Sequence, residues 1–161
     1  MLEDSFLISH CVRFDIKGRK YIDTPQKYYF EDLGLRNARL GFRQVEETHL
    51  MENLIYNELK MRGYIVDVGV VPTRTKETDG TYNRSLLEVD FVCNRGSERI
   101  YVQSAYRLPA EEKKQQETAS LLKIDDSFRK VVITEDLVKR HMDDNGVEWV
   151  NIYDFLMNSE V

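Results

Sequence analysis

Two strand-like segments joined by a short turn, residues 86–93 and 98–104, constrain the fold of this chain more than any other feature. Branched and aromatic residues dominate both segments, and an Asn-Arg-Gly turn separates them, which predicts a β-hairpin. Because side chains alternate between the faces of a strand, Glu88 and Asp90 are expected on one face. The second segment presents Tyr101 and Gln103 with the same spacing of two. The sequence therefore predicts a sheet in which carboxylates interrupt an apolar strand.

The composition is that of one ordinary globular domain of 161 residues. A formal net charge of −5 provides no overall attraction to nucleic acid, although a local basic patch is compatible with it. Cys11 and Cys93 form no C-x-x-C pair, which argues against a zinc site or a disulfide scaffold. No apolar run approaches the roughly 18 to 20 residues that span a bilayer. We therefore expect a soluble cytoplasmic protein with no membrane segment.

Periodicity and turn residues predict the elements outside this hairpin. An N-terminal hairpin over residues 6–24 turns at 17–19, and Asp32 is a suitable N-cap for a short helix over residues 33–40. The elements expected after it are a helix at 47–62, a strand at 64–71, a polar loop at 72–84, the hairpin, a helix from Pro109 to 122, strands at 130–134 and 146–151, and a helix at 152–157. The predicted order is a hairpin, two helices and then β-β-β-α-β-β-α.

Several runs of sequence carry a family resemblance. Residues 51–59 (MENLIYNEL), 62–66 (RGYIV) and 88–92 (EVDFV) resemble the PD-(D/E)XK restriction-endonuclease-like superfamily. With residues 27–37 (KYYFEDLGLRN) and 100–103 (IYVQ), they look more specifically like the C-terminal domain of a large family of bacterial and archaeal AAA+ ATPases. The resemblance extends from about Leu2 to Leu156. It implies an α/β (α+β) fold with a restriction-endonuclease-like mixed sheet flanked by helices.

The resemblance also implies a domain organisation and a partner. Residues 1–30 would be the wing hairpin that remains of a winged-helix element, and residues 31–161 the restriction-endonuclease-like domain. In that family an AAA+ ATPase module and further winged-helix sequence come first, so an N-terminal ATPase module is the expected partner. No G-x-x-x-x-G-K-[ST] motif is present, so this chain is not expected to bind ATP itself. Self-association into a homo-oligomer is a further hypothesis, because the hairpin lacks its usual neighbours.

Phosphodiester cleavage of this kind requires carboxylates that hold Mg²⁺ and a lysine that assists the attacking water or the phosphate. By resemblance, Glu52 and Asp90 match the metal-binding carboxylates, whereas Tyr101 and Gln103 replace the acid and the lysine. A phenol and an amide do not supply those charges at neutral pH. The predicted catalytic site is therefore degenerate. A lysine from the following helix could compensate, and the candidates are Lys113, Lys114 and Lys123.

The same carboxylates also have structural interpretations. Glu52 fits a solvated position at the edge of its helix's apolar face. Glu88 and Asp90 fit a half-exposed strand face on which they pair with Arg84 or Arg99. Metal binding and ion pairing therefore both remain open for these positions.

Two further residues of the long helix are site candidates. Glu58 lies near the middle of the apolar face, where a carboxylate requires either a partner such as Arg62 one turn on or a cleft. The partner is the favoured interpretation. His49 stands three residues before Glu52 and could share a metal with it, but a single helical histidine is more often structural.

The N-terminal hairpin contains the most basic and aromatic region of the chain. Basic residues interleaved with aromatic ones could bind a phosphate backbone, or the region could be a surface that the ATPase module covers. The aromatic residues are Tyr21, Tyr28, Tyr29 and Phe30, and the predicted nucleic-acid or partner-binding residues are Lys17, Arg19, Lys20 and Lys27.

These observations support two main hypotheses of function. The first is a nuclease-like domain with little or no catalytic activity that serves as the binding or partner-recognition module of an AAA+ ATPase. The second is a Mg²⁺-dependent nuclease with an altered site built from Glu52, Asp90 and Glu88. A docking scaffold that binds no nucleic acid is a third hypothesis.

Overall fold

The computed structural model describes residue 3 and residues 5–43, 45–76, 80 and 82–158. Within these residues the chain forms an eight-stranded sheet and four helices. The elements in chain order are β1 (Ile8–Asp15), β2 (Lys20–Phe30), α1 (Leu33–Arg39), α2 (Glu47–Met61), β3 (Ile65–Lys76), β4 (Tyr82–Arg95), β5 (Glu98–Ala105), α3 (Glu111–Leu122), β6 (Arg129–Thr134), β7 (His141–Met142), β8 (Val147–Asn151) and α4 (Ile152–Met157).

The sheet mixes parallel and antiparallel pairs in the strand order β2-β1-β3-β4-β5-β6-β8-β7. The β1/β3, β5/β6 and β6/β8 pairs are parallel. The β1/β2, β3/β4, β4/β5 and β7/β8 pairs are antiparallel. A mixed sheet with flanking helices confirms the predicted fold class and is consistent with a restriction-endonuclease-like arrangement.

The N-terminal hairpin is part of this sheet. Residues Arg13, Phe14 and Asp15 of β1 pair with Val68, Gly69 and Val70 of β3. The predicted domain boundary at residue 30 therefore does not coincide with a break in the sheet. The origin of the hairpin in a winged-helix element stays a prediction.

Two apolar cores lie on opposite faces of the central strands. The first contains Ile55 of α2 together with Phe91 and Val102 of the central hairpin. The second contains Leu121 of α3 together with Tyr101, the residue beside Val102 in β5. Neighbouring strand residues point to opposite faces, so α2 and α3 cover the two sides of the sheet. We call these the α2 face and the α3 face.

A β-bulge in β4 determines where Asp90 points. β4 pairs Val92 with Asp67 and Val89 with Gly69, so three steps along β4 match two along β3. Phe91 joins the core of the α2 face, and Asp90 also reaches that face. Gly69 permits the close approach here, because a Cβ on it would lie 2.9 Å from side-chain atoms of Val89.

The prediction of a polar loop at residues 72–84 was wrong. β3 and β4 continue as a paired two-stranded arm, from Pro72 opposite Leu86 to Lys76 opposite Tyr82. The polar sequence did not indicate these strands, because two strands can pair through their backbones without burying a side-chain face. Residues 77–79 and 81 lie outside the described residues. The short strand β7 was also missed, since two residues carry no detectable periodicity.

The helix boundaries in the structure agree closely with those predicted from the sequence. Asp32 caps α1 as predicted, and its Oδ1 accepts a hydrogen bond from the Leu35 backbone N–H at 2.8 Å. α2 begins at the predicted Glu47 and ends one residue before the predicted end. Met61, which was expected on the apolar face, is 77% exposed. The last turn of α2 thus extends past the core that holds the helix.

Candidate functional site

Three carboxylates meet around one lysine on the α2 face. Glu52 comes from α2, Glu88 and Asp90 come from β4, and Lys27 comes from β2. The Lys27 Nζ is 2.9 Å from Glu52 Oε1, 2.7 Å from Glu88 Oε1 and 3.6 Å from Asp90 Oδ1. We call Glu52, Glu88 and Asp90 the carboxylate cluster. Lys27 is the ammonium at its centre, and its side chain is 25% exposed.

A second cation offsets part of the remaining negative charge. Arg13 of β1 places its Nη1 2.7 Å from Glu88 Oε2. The expected pairing of Glu88 and Asp90 with Arg84 or Arg99 was wrong, because residues of the N-terminal hairpin supply both cations instead. Arg99 donates to Asn94 Oδ1 at 2.7 Å. With three negative and two positive side chains, the cluster carries a formal charge of −1.

The N-terminal hairpin is held against α2 by direct hydrogen bonds. The Tyr29 hydroxyl donates to Glu52 Oε1 at 2.7 Å, and its ring stacks on Tyr56 with ring centroids 4.2 Å apart. Asn53 accepts from the Phe30 N–H and donates to the Phe30 carbonyl, both at 2.8 Å. These contacts fix β2 in the register that places Lys27 among the carboxylates.

The side chains of Asp90 and Gln103 each accept a backbone hydrogen bond from the neighbouring strand, beyond the last regular pair of β4 and β5. The Ser104 backbone N–H donates to Asp90 Oδ2 at 2.8 Å. In return the Asp90 backbone N–H donates to Gln103 Oε1 at 3.3 Å. Each side chain thus satisfies a backbone group of the neighbouring strand beyond the last regular pair, Phe91 with Val102. Gln103 therefore acts here as a structural acceptor.

Burial and mutual repulsion affect the protonation of the cluster. Burial raises the pKa of Asp90 well above its ordinary value, and the charge of Glu52 raises it further. Burial by itself lowers the pKa of Lys27, but Glu52 and Asp90 outweigh it, so that pKa is raised. Burial and the charge of Glu52 also raise the pKa of Tyr29. Lys27 is therefore charged at neutral pH, and Tyr29 remains a neutral donor.

Tyr101 is not part of this site. It packs in the core of the α3 face, and its hydroxyl donates to Asp126 Oδ2 at 2.6 Å. Burial raises its pKa, followed by the hydrogen bond to Asp126. The residue that replaces the expected acid therefore points to the other side of the sheet from Glu52.

The remaining candidates of α2 have structural partners. Glu58 forms the expected ion pair with Arg62, with Glu58 Oε1 2.8 Å from Arg62 Nε. The Arg62 guanidinium also lies 4.4 Å from the centre of the Phe155 ring, which ties α2 to α4. His49 contacts Glu46 on its own side of the helix. Neither Glu58 nor His49 reaches the carboxylate cluster.

The lysine beside the carboxylates comes from β2 and not from the helix that follows the central hairpin. Lys113 pairs with Glu117 and Lys114 pairs with Glu111, both along α3, while Lys123 is the C-cap of that helix. Lys27 supplies the ammonium instead. In the sequence, Lys27 and Tyr29 are two residues apart, which indicates that both side chains lie on one face of β2.

The predicted basic region consequently divides into two parts. Lys17, Arg19 and Lys20 are exposed at or beside the β1–β2 turn. Lys27 is held among carboxylates and is not available to bind a phosphate backbone in this arrangement. Three of the four residues therefore remain candidates for nucleic-acid or partner binding.

The carboxylate cluster does not fit a magnesium ion in this arrangement. Oxygens of Glu52 and Glu88 already accept from Lys27, and Asp90 forms a longer ion pair with it at 3.6 Å. Further oxygens accept from Arg13 and from the Ser104 N–H. Across the part of the chain that the structure describes, no group of three or more His, Cys, Asp or Glu side chains is arranged to hold a metal. A cation would have to displace Lys27 to bind there.

Comparison with known proteins finds one informative relative. An uncharacterized protein of Haemophilus influenzae (strain Rd) is 32% identical over 157 residues. The match covers 98% of this chain and 35% of the relative, so the chain spans about a third of that protein's length. No family model and no solved structure matches the chain. In the described residues no helix is long and apolar enough to cross a membrane.

Proposed function

We propose that this chain is a catalytically inactive restriction-endonuclease-like domain that serves as the binding or partner-recognition module of an AAA+ ATPase. The observation that carries the proposal of inactivity is the position of Lys27. Its ammonium contacts all three carboxylates that could otherwise coordinate Mg²⁺. A lysine at this point compensates the charge of the cluster without a metal.

The proposed link to an ATPase rests on the resemblance of residues 27–37, 51–59, 62–66, 88–92 and 100–103. The Haemophilus relative is compatible with it, because about two thirds of that protein lies outside the match. ATP would be bound by another module, since a P-loop motif is absent from this sequence. The chain would then contribute surfaces for binding rather than chemistry.

A Mg²⁺-dependent nuclease with an altered site is the alternative, and one observation favours it. Lys27 lies 3.6 Å from Asp90 and supplies the ammonium that Gln103 cannot. In this alternative Lys27 would leave the carboxylates when metal and a phosphodiester bind. The two proposals differ in whether Lys27 excludes the metal or acts beside it.

Thermal unfolding of the wild type and of Lys27→Ala in the presence of a divalent cation distinguishes them. Each protein is melted with about 10 mM MgCl₂ or MnCl₂ and with NaCl of matched ionic strength. A site with a dissociation constant of about 1 mM would add about 1.4 kcal/mol, a shift of about 3 to 5 °C. We expect this shift for Lys27→Ala, whose carboxylates lack their cation, and none for the wild type.

Lys20→Ala is the matched control, because Lys20 is an exposed lysine of the same strand. It should behave like the wild type. An equal shift in the wild type, together with duplex cleavage that is lost in Asp90→Ala, would establish the nuclease and refute the inactive module.

A further inference from the structure

An exposed phenylalanine follows α1 at one edge of the sheet. Phe42 is 67% exposed and has a φ of 54°, a left-handed conformation that a residue with a Cβ adopts only at a cost. Two hydrogen bonds hold the backbone there. The Phe42 N–H donates to the Asn37 carbonyl at 2.9 Å, and the Arg43 N–H donates to the Leu40 carbonyl at 3.3 Å. The fold thus holds an aromatic side chain in a fixed position in solvent.

The segment around Phe42 is basic. Residues 33–43 include Arg36, Arg39 and Arg43 and no acidic residue. Arg39 and Arg43 lie within three residues of Phe42 and are exposed. In a chain of net charge −5, this segment is a local concentration of positive charge. A surface complementary to it would combine an apolar recess with negative charge.

A pocket with these two properties lies near the other edge of the sheet. It is formed by α3 and residues 136–149 and has a volume of about 230 Å³. Its apolar walls include Leu108, Leu122, Val138 and Trp149. A cavity of about 150 Å³ can hold a benzene ring, so this pocket has room for a phenyl group. We call it the edge pocket.

The edge pocket is acidic. Three carboxylates and one ammonium line it, from Glu111, Asp136, Asp143 and Lys114. With His141 neutral, these lining residues carry a formal charge of −2. The Trp149 Nε1–H donates to Asp143 Oδ2 at 3.0 Å, which fixes the indole as a wall. Burial alone raises the pKa of Asp143, but this bond and backbone N–H donors outweigh it, so the pKa is lowered and Asp143 is ionised at neutral pH.

Phe42 and the edge pocket lie too far apart to meet within one molecule. α1 packs against β2, the first strand in the order of the sheet, whereas Trp149 belongs to β8, the seventh. Six spacings of about 4.8 Å separate these two strands by about 29 Å. A contact between Phe42 and the pocket therefore requires two molecules.

We infer that this chain self-associates head to tail, with Phe42 of one copy inserted into the edge pocket of a second copy. Insertion buries the exposed ring and brings Arg39 and Arg43 to the acidic rim of the pocket. The two contacting surfaces differ, so the contact is heterologous and further copies can add to it until a ring closes. The inference goes beyond the proposed function and does not depend on the state of the carboxylate cluster.

Sedimentation equilibrium of the wild type and two variants tests the inference, at protein concentrations of about 10 to 500 μM and about 50 mM salt. Phe42→Gly removes the ring and is compatible with the φ of this position, so the fold should be retained. Gln115→Arg places a bulky cation in the edge pocket from an exposed position of α3. We expect the wild type to form species larger than the monomer, and each variant to weaken association at least about tenfold.

Phe6→Gly and Gln116→Arg are the matched controls. Phe6 is also an exposed phenylalanine with a positive φ, 53°. Gln116 is exposed on α3 and does not line the edge pocket. Both control variants should associate like the wild type, and circular dichroism of every variant distinguishes lost association from unfolding.

An equimolar mixture of Phe42→Gly and Gln115→Arg tests the head-to-tail geometry. The first variant keeps the pocket and the second keeps Phe42, so the mixture should form a dimer and no larger species. Restoration of the dimer supports the inference. A wild type that stays monomeric to about 500 μM, variants that associate as it does, or a mixture that stays monomeric would overturn it. The divalent-cation melts test the carboxylate cluster separately, so each proposal is decided by its own data.

Discussion

The carboxylate cluster and the β3–β4 arm treat charge in opposite ways. On the α2 face, Glu52, Glu88 and Asp90 surround Lys27, and every member of the carboxylate cluster has a partner from the protein. In the β3–β4 arm, Arg74 and Arg84 stand directly opposite each other across two strands. The first arrangement stabilises the fold and offers a metal ion few free carboxylate oxygens. The second arrangement destabilises the arm, and an anionic ligand would relieve that repulsion.

The comparison also separates the residues that resemble a nuclease site from those that are available to bind a ligand. The α2 face contains the residues that resemble a nuclease, yet their oxygens are occupied by Lys27, Arg13 and a backbone N–H. The β3–β4 arm places Arg74 opposite Arg84, in a region where the sequence predicted only a loop.

Replacement of Lys27 should have the largest effect on stability. Lys27→Ala leaves three largely buried carboxylates around an empty position, and loss of one partner from a buried ion pair costs about 3 kcal/mol. Urea unfolding followed by circular dichroism should show this loss relative to the wild type. A loss below about 1 kcal/mol would mean that Lys27 is not essential to the charge balance of the α2 face.

Lys20→Ala provides the comparison within β2. Lys20 is exposed at the start of the strand and should change the free energy of unfolding by less than about 0.5 kcal/mol. If Lys27→Ala and Lys20→Ala lowered the free energy of unfolding equally, the loss would be a property of the strand as a whole. The predicted role of Lys27 in the carboxylate cluster would then be wrong.

Replacement of Asn53 should have the second-largest effect on stability, because this residue fixes the strand that carries Lys27. Asn53→Ala removes two hydrogen bonds to Phe30, and at about 1 kcal/mol each the expected loss is about 2 kcal/mol. Chemical denaturation measures it. Asn57→Ala is the control, since Asn57 shares the Phe30 carbonyl at 3.0 Å and leaves the Phe30 N–H satisfied. Equal losses for the two variants would contradict a special role for Asn53.

Much of the fold was predictable because local signals coincide with tertiary structure. The strand from Glu98 to Ala105, the cap at Asp32 and the terminal helix Ile152–Met157 follow from residue types within a few positions. The β3–β4 arm was not predictable in this way. Its strands pair through the backbone, and polar residues at positions 72–84 give no alternation of apolar residues.

The site was only partly predictable, for a different reason. Glu52 and Asp90 were identified by resemblance, and Glu58 with Arg62 by helical spacing. The position of Lys27 depends on how β1 pairs with β3, a contact between segments about 50 residues apart. Nothing local to residue 27 encodes that pairing, so the sequence assigned this lysine to a surface patch.

Titration of Asp90 should make the stability of the protein depend on pH. Its folded-state pKa is raised, so its contribution to stability is present in full below the ordinary value of 3.8. That contribution is lost as pH rises through the raised folded-state value. Each pKa unit corresponds to about 1.4 kcal/mol. Because Asn does not titrate, the stability of the wild type relative to Asp90→Asn should fall between pH 4 and neutrality when measured by urea unfolding. A difference independent of pH would show that Asp90 is ionised throughout.

The smallest effect should be a gain in stability in the β3–β4 arm. Arg84→Glu replaces a cross-strand pair of like charges with an Arg74–Glu pair, which should add about 0.5 kcal/mol and raise the unfolding midpoint by about 1 to 2 °C. Differential scanning calorimetry at low and high salt measures it. The gain should shrink near 1 M salt, because screening weakens exposed pairs. Lys139→Glu removes an equal charge outside the arm and should give no such gain. If Arg84→Glu lowered the midpoint instead, the arginines would not repel each other in the free protein, and the contrast between the carboxylate cluster and the arm would lose its energetic basis.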